Sequence, residues 1–490
     1  MPKMSYTRKV AYNTAAQIVG KVIGIGISLV TIATLFRYLG VEGVGKYTTV
    51  FAFVSFFSVF ADFGLQWTLI RELAVQKDKN KVFQNILSLR LIVAVVIHLL
   101  TFAVVWFFKY PIDVKLGVGI ITLSWFFTTM NSTFVGVFQN NYRLDLSVAT
   151  DVLGRAIIYI LILLGTSYNL GFTMVLIAYI FGTAVNFFSN VFLSRRFVTL
   201  GFGRDTAYWP TIFRQAFPIG IVLVFHFIYF KIDSLMLSWM KGMVDVGIYG
   251  TSYKLLEVLE SLPIMFLGAS FPLITKYVVD KDKRLNSAFQ KQFDFIALAG
   301  FPIAVGTYVL AQPIIDFIGG RSGEFSSTAT VSFLGQPATS VTVLKILVFV
   351  IAISFFSNLY AYLIVALGKQ KNMVLPTIGF AVINIILNLV LIPIASYIGS
   401  SFATLVTELV VLFSTIYIAG LYIKIKIAYS SFFKAIMCSL VMGVVTYYLN
   451  LVGVNVFVNI IIATFIYGVF VFSIKAVPIN LIKSIIRREE

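Results

Sequence analysis

Long apolar runs, separated by short polar segments, recur from one end of the sequence to the other. Each run has about 20 residues or more, the length an α-helix needs to cross the hydrocarbon core of a bilayer. A transmembrane β-barrel would instead show shorter segments of alternating polarity. The pattern therefore predicts an all-α polytopic membrane protein with about 14 transmembrane helices. The predicted helices cover 11–36, 48–72, 85–108, 116–140, 147–166, 171–194, 212–239, 247–274, 288–318, 340–367, 373–394, 398–422, 431–449 and 454–475.

The composition supports this membrane assignment. Of the 490 residues, 59% are hydrophobic and only 12% are charged. An average soluble domain has about twice that charged fraction. No single globular core could bury so much apolar surface, so lipid must be the solvent for most of the chain.

The distribution of basic residues predicts the topology. The net charge of +18 is scattered through short loops rather than gathered in a basic domain, so we expect no nucleic-acid partner. With the N-terminus in the cytoplasm, most Lys and Arg fall on the cytoplasmic side, as the positive-inside rule requires. An even number of helices then places both termini in the cytoplasm. The single cysteine, Cys438, excludes an intramolecular disulfide.

One short turn occurs twice. GVEGVGKY (40–47) and GMVDVGIY (242–249) share Gly, Val, Gly and Tyr at equivalent positions, and each follows the first helix of its half. Six predicted helices separate the copies, so both halves have the same orientation and form a parallel repeat. We predict two six-helix lobes that rock about a central cavity. The predicted divisions are a lobe at 1–196, a cytoplasmic linker at 197–210, a lobe at 211–423, two additional helices at 424–475 and a cytoplasmic tail at 476–490.

Polar residues lie at hydrocarbon depth in several predicted helices, where a charge costs on the order of 2.5–3.5 kcal/mol. Such side chains are expected to face a cavity or a partner. The predicted substrate-binding residues are Lys21, Lys231, Lys254, Arg90, Arg155, Asn13 and Gln17. The predicted ion-coupling residues are Asp62, Asp233, Glu257 and Glu260.

Each assignment has a structural alternative. The polar face of the first helix, which carries Lys21, also fits a helix-packing seam of small and polar residues. Lys254 and Glu257 are three residues apart and could neutralise each other. Arg90 and Arg155 lie near the cytoplasmic boundary, where snorkelling to the headgroups is the alternative. The excess of cations over anions favours an anionic cargo, because Coulomb attraction strengthens as water is excluded.

Three stretches carry a family resemblance. NTAAQIVGKVIGIGISLV and RYLGVEGVGKYTTVFAFVSFFSVFADFGLQWTLIREL resemble the opening of bacterial and archaeal polysaccharide flippases. IDSLMLSWMKGMVDVGIYGTSYKLLE resembles their seventh and eighth helices. These are the Wzx-type members of the multidrug/oligosaccharidyl-lipid/polysaccharide exporter superfamily.

The resemblance implies a function. Such proteins move a polyprenyl-pyrophosphate-linked oligosaccharide across the cytoplasmic membrane, with the lipid tail in the bilayer, and use a proton or sodium gradient. It implies headgroup contacts for interior cations such as Lys21, Lys231 and Lys254. The implied partners are membrane lipid, the lipid-linked glycan and other polysaccharide assembly proteins.

Other functions remain open at this point. A drug or cation antiporter of the same superfamily would favour an acidic, aromatic cavity, and a lipid II flippase is chemically close. A membrane-embedded polymerase or glycosyltransferase would need a large outer loop with paired carboxylates or arginines. The longest outer loop, 319–339, is mostly small and polar, and the chain has no phosphate-binding glycine loop. With two histidines in the whole chain, a histidine-based metal site is not expected. We therefore predict a transporter that is not an enzyme and has no cofactor.

Overall fold

The computed structural model describes the backbone over residues 6–320 and 323–474. Within the first helix, the side chains of residues 6–15 and of Ile18 are not part of the described set. The side chain of Asn13 and the predicted tail at 476–490 therefore lie outside the described residues.

The described chain is almost entirely helical, as the apolar runs predict. The helices are α1 (Tyr6–Asp62), α2 (Leu65–Val75), α3 (Lys79–Val104), α4 (Ile112–Asn140), α5 (Leu144–Ser167), α6 (Gly171–Ser194), α7 (Trp209–Met240), α8 (Met243–Val279), α9 (Arg284–Val309), α10 (Ala311–Gly319), α11 (Glu324–Ser327), α12 (Ser340–Ala366), α13 (Val374–Tyr422), α14 (Ser430–Leu451) and α15 (Val456–Ser473). Two short strands, β1 (Ser332–Phe333) and β2 (Gln336–Pro337), form an antiparallel hairpin.

Twelve stretches of the described chain are long and apolar enough to span a membrane. Two of them run for 57 and 53 residues, more than twice the roughly 20 residues that one crossing needs. In the first, Gly40 interrupts α1 with φ 64° and ψ −178°. In the second, Ser396 interrupts α13 with φ 48° and ψ −128°. Counting each as two crossings gives the 14 transmembrane helices that the sequence predicts.

The first repeated turn differs from its prediction. We expected a loop over 40–47, but the chain returns to helical geometry directly after Gly40. Positive φ costs glycine little, because glycine has no Cβ atom. One residue is therefore sufficient to change the direction of the helix, and residues 41–47 already form its next turns.

The chain divides into two compact units. The N-terminal unit contains the described residues through Gly250 together with Thr377–Leu389, and the C-terminal unit contains the rest. In the N-terminal unit, α4 and α5 pack on α6 and on α1, and α3 packs on α4. In the C-terminal unit, α9 packs on α12 and α14, and α14 packs on α15. The predicted lobes and the cavity between them stay predictions.

The segment 197–210, predicted as a linker, lies against the start of α3. Lys81 Nζ is 2.8 Å from Asp205 Oδ2. The Thr199 amide donates to Asn80 Oδ1 at 2.9 Å. The hydrogen bond from Lys81 holds the pKa of Asp205 below its usual range. These contacts fasten the segment to the N-terminal unit along much of its length.

Candidate functional site

The first candidate site is the polar face of α1. Lys21, Gly24 and Ser28 share this face, because they are three and seven residues apart on a helix. Arg155 of α5 crosses it: Nη1 donates to Ser28 Oγ at 2.7 Å, and Cδ lies 3.4 Å from where a Cβ on Gly24 would be. The side chain of Lys21 is exposed, and that of Arg155 is 42% exposed. Two cations thus lie on one face of α1, and both side chains have exposed surface.

Two further polar groups belong to this face. Asp151 lies one turn before Arg155 on α5 and accepts from Arg155 Nε at 2.8 Å. Gln17 is half-buried one turn before Lys21. The Asp151 carboxylate orients the guanidinium while leaving part of it open. A planar guanidinium and an ammonium on the same helix face suit phosphate oxygens, which accept several hydrogen bonds at once.

Arg90 and Asp62 form a buried ion pair in the N-terminal unit. The Arg90 side chain is fully buried, and its guanidinium donates to Asp62 and Ser132 and, at 2.8 Å, to Thr133 Oγ1. The Asp62 side chain keeps 28% of its surface exposed. The predicted headgroup cation and the predicted ion-coupling carboxylate are therefore partners. Substrate contact by Arg90 stays a prediction, and the geometry gives it a structural role.

Asp233 of α7 is fully buried in the same unit. It accepts from the Tyr249 hydroxyl and from the Ser234 backbone amide, the latter at 2.8 Å. Lys231, two residues earlier, has its ammonium 5.7 Å from the centre of the Phe230 ring. Lys231 and Asp233 point in different directions on α7, as their spacing predicts.

The C-terminal unit contains the remaining predicted site residues on α8. Lys254 Nζ donates to Glu257 Oε2 at 2.8 Å, with side-chain exposures of 35% and 18%. The self-neutralising pair that the spacing allows therefore forms. Glu260 is half-buried one turn further along. A role of these residues in substrate binding or ion coupling stays a prediction.

The two repeated turns pack against each other. A Cβ on Gly45 would lie 1.7 Å from the carbonyl oxygen of Met243, and a Cβ on Gly247 would lie 1.9 Å from that of Val41. Gly45 and Gly247 are equivalent positions of the repeat, and so are Val41 and Met243. The contact is therefore reciprocal, with each glycine seated on the carbonyl at the start of the other copy. This close backbone approach explains why both copies have glycine at this position.

Sequence reasoning missed Glu408. It lies on α13 in the C-terminal unit, is 7% exposed, and hydrogen-bonds to Ser357 of α12. The available signal was its position near the middle of the predicted helix 398–422, where it is the only charged residue.

Two apolar cavities lie in the C-terminal unit. One has a volume of about 610 Å³ between α9, α12 and α14 and is lined by residues such as Phe301, Tyr308 and Tyr447. The other has about 410 Å³ and is lined by residues such as Pro302, Met442 and Tyr467. Their surfaces suit hydrocarbon chains better than sugars. Among the described residues, no three His, Cys, Asp or Glu side chains come together as metal ligands.

Several solved structures with a similar fold are described as membrane transporters or flippases. The inward closed conformation of the lipid II flippase MurJ aligns with a TM-score of 0.72 and 16% identity, over 94% of this chain and 98% of that one. An inward-facing multidrug resistance MATE transporter of the MOP superfamily aligns with a TM-score of 0.61 and 13% identity, over 81% and 94%. A MOP superfamily transporter from Pyrococcus furiosus, described as having a binding pocket of reversed polarity, aligns with a TM-score of 0.55 and 14% identity, over 85% and 96%.

These similarities establish the fold of the chain. A comparison with curated proteins gave no match. The family model for polysaccharide biosynthesis proteins matches residues 8–278, more than half of the chain and the region that includes both copies of the repeated turn. The chain therefore belongs to the polysaccharide biosynthesis protein family.

Proposed function

We propose that this protein is a flippase that moves a polyprenyl-pyrophosphate-linked oligosaccharide from the cytoplasmic to the outer leaflet of the cytoplasmic membrane. The predicted lobes, 1–196 and 211–423, alternate access to a cavity between them, and both termini are cytoplasmic. A proton or sodium gradient drives the cycle. Family membership supports the link to polysaccharide synthesis, and the transporter fold supports the movement of a cargo.

The observation that carries the proposal is the pair of accessible cations on the polar face of α1. Lys21 and Arg155 present an ammonium and a guanidinium on one side of the helix. A pyrophosphate linkage carries several anionic oxygens, and charge-assisted hydrogen bonds to such oxygens strengthen in a site of low dielectric constant.

The carboxylates near these cations differ in what they are able to do. Asp62 and Glu257 each neutralise a basic neighbour, which lowers the cost of keeping that neighbour at membrane depth. Asp233 and Glu260 complete the set to which we assign ion coupling.

The oligosaccharide requires a wide polar path, whereas the polyprenyl chain needs only lipid or apolar surface.

Transport in proteoliposomes tests the proposal. We expect the wild-type protein to translocate a fluorescent polyprenyl-pyrophosphate sugar. Lys21→Ala and Arg155→Ala should each lose a charge-assisted contact worth about 1.5–3 kcal/mol, a decrease in affinity of roughly 10- to 100-fold. Lys254→Ala tests the contribution of the C-terminal unit. Lys371→Ala, which removes an exposed lysine outside the long helices, is the matched control and should transport as wild type does.

The other outcomes distinguish between proposals. Unchanged transport in the Lys21, Arg155 and Lys254 variants would contradict the assignment of substrate binding to these residues. Faster movement of lipid II than of other lipid-linked sugars would make the protein a lipid II flippase, the alternative that the MurJ-like fold favours. Uptake of an organic cation without lipid-sugar movement would make it a drug antiporter.

A further inference from the structure

Glu408 is a buried acid that none of the preceding roles uses. It is 7% exposed on α13 and is the only charged residue in that 49-residue helix. Within the described part of the chain, its hydrogen-bond partner is the hydroxyl of Ser357 on α12, itself 4% exposed. An acid so placed must either be neutral or be compensated by a cation.

Neither α13 nor α12, the helix that carries Ser357, places a cation near Glu408. The only charged residue of α12 is Lys345, three turns away from Ser357, and its ammonium lies 5.4 Å from the centre of the Tyr308 ring. Tyr397, the tyrosine of α13 that precedes Glu408, donates its hydroxyl hydrogen to the Ala338 carbonyl at 2.5 Å.

Other acids at membrane depth have partners that suit a charged carboxylate. Asp62 has the Arg90 guanidinium, and Glu257 has the Lys254 ammonium. Asp294 of α9 accepts from the Gln290 amide at 2.8 Å. Glu408 differs from these, because its partner is a hydroxyl that is able to accept a hydrogen bond as well as to donate one.

Ser357 has two acceptors within reach of its single hydroxyl hydrogen. Its Oγ lies 3.2 Å from the Ile353 carbonyl oxygen and also hydrogen-bonds to Glu408. When the hydrogen is donated to Ile353, Ser357 accepts from a protonated Glu408; when it is donated to Glu408, it supports the ionised carboxylate. The same partner therefore serves both protonation states, as a site that binds and releases a proton requires.

A row of small polar side chains extends from this point along α13. Ser401, Thr404 and Thr415 are seven and four residues before Glu408 and seven after it, which places all four on one face of the helix. Ser401 and Thr415 are fully buried. Each of the three hydroxyls donates to a carbonyl of its own helix and keeps acceptor capacity for water. Polar side chains in a row provide a path for a proton where apolar ones would not.

We propose that Glu408 joins the four carboxylates assigned to ion coupling above and binds a proton that drives this transporter. The carboxylate takes a proton from hydronium on the acidic side, leaving water, and returns it to water on the other side when the surrounding helices rearrange. No electron is transferred. This inference rests on the proposed flippase function for the identity of the cargo. Proton binding by Glu408 does not depend on it, because it can be measured without any cargo.

Two measurements on the full-length protein test the inference. Infrared difference spectra are recorded during a pH titration of the purified protein, and the carbonyl stretch of a protonated carboxyl is followed. In parallel, proteoliposomes with a pH gradient or a sodium gradient are assayed for movement of the fluorescent lipid-linked sugar. The variants are Glu408→Gln, which keeps the shape of the side chain but binds no proton, Glu408→Asp, which keeps the acid, and Glu42→Gln. Glu42 is an exposed acid paired with Lys46 and serves as the control.

The expected result is a carboxyl band in the wild type that is lost in Glu408→Gln and kept in Glu408→Asp and Glu42→Gln. The pH gradient should accelerate transport by the wild type and by Glu42→Gln, whereas Glu408→Gln should lose this acceleration. A gradient response that survives in Glu408→Gln, a band that it retains, or stimulation of the wild type by sodium alone would overturn the inference. If the wild type moves no lipid-linked sugar under any gradient, the proposed function fails, and the infrared titration alone decides whether Glu408 binds a proton.

Discussion

Adding one methyl group to Gly45 or Gly247 tests whether the repeated turns are held together by backbone contact. The Cβ of Gly45→Ala would lie 1.7 Å from the Met243 carbonyl oxygen, and that of Gly247→Ala would lie 1.9 Å from the Val41 carbonyl oxygen. Real Cβ atoms essentially never approach another heavy atom within 3.0 Å. Each variant must therefore push two helices apart by more than an ångström, because a main-chain oxygen has no rotamer into which it can move away.

The expected loss in the free energy of unfolding follows from two opposing effects. Overpacking a tight contact costs about 1–3 kcal/mol, and a rigid backbone neighbour places these sites at the upper end. Alanine in place of glycine inside a helix returns about 1 kcal/mol through helix propensity. The net expected loss in the free energy of unfolding is about 2 kcal/mol for each variant. The two losses should be similar, because the two contacts are equivalent in the repeat.

The assay is thermal unfolding of the purified variants in detergent, followed by intrinsic fluorescence. Gly242→Ala is the matched control: it belongs to the same repeated turn, and no atom lies within 4 Å of its added Cβ. Gly468→Ala in α15 also meets no atom within 4 Å and measures the helix-propensity gain alone. We expect Gly45→Ala and Gly247→Ala to melt well below both controls. If they melt together with Gly242→Ala, or if only one of them is destabilised, the reciprocal contact does not hold the turns together.

Three further predictions concern side chains that the structure pairs. Arg90→Ala leaves the Asp62 carboxylate without its cation and should cost about 3–5 kcal/mol, seen as a large fall in melting temperature. Arg155→Ala should lower transport but change the melting temperature little, since its side chain is 42% exposed; an equal fall in melting temperature would contradict a ligand-facing role. Tyr208→Phe removes the 2.7 Å hydrogen bond to buried Glu72 and should cost about 1–3 kcal/mol in a thermal melt. Burial, with Glu72 beside it, raises the pKa of Tyr208 well above 10.0, so this contribution is present below that pH and should be lost at higher pH in the wild type only.

The number of membrane crossings could be predicted from the sequence, because an apolar run of about 20 residues is a local property of the chain. The connections between crossings could not all be predicted. Gly40 stood in an evident turn, and the break predicted between 394 and 398 contains Ser396, but nothing in the sequence indicated that this one serine changes the direction of α13. A serine with φ 48° is held there by tertiary contacts rather than by its own preference. Such positions become visible only when the neighbouring helices are in place.

For the candidate site, too, contacts within one helix could be predicted from the sequence and contacts between helices could not. Spacing on one helix predicted that Lys254 and Glu257 would meet, because residues three apart are neighbours on an α-helix. The pairs Arg90–Asp62 and Arg155–Ser28 join different helices, and no periodicity of one helix contains that information. Glu408 was overlooked for a related reason: a single acid without a charged neighbour in sequence forms no pattern.

The two copies of the repeat share a backbone contact but differ in the chemistry of their tyrosines. Tyr47 of the first copy has its hydroxyl 3.0 Å from that of Tyr179, a neutral partner. Tyr249 of the second copy donates instead to the carboxylate of Asp233. Both tyrosines are buried, so each hydroxyl needs a partner, and only the second copy satisfies this need with a titratable acid. The equivalent framework thus places a neutral pair of hydroxyls beside the first copy and a buried carboxylate beside the second.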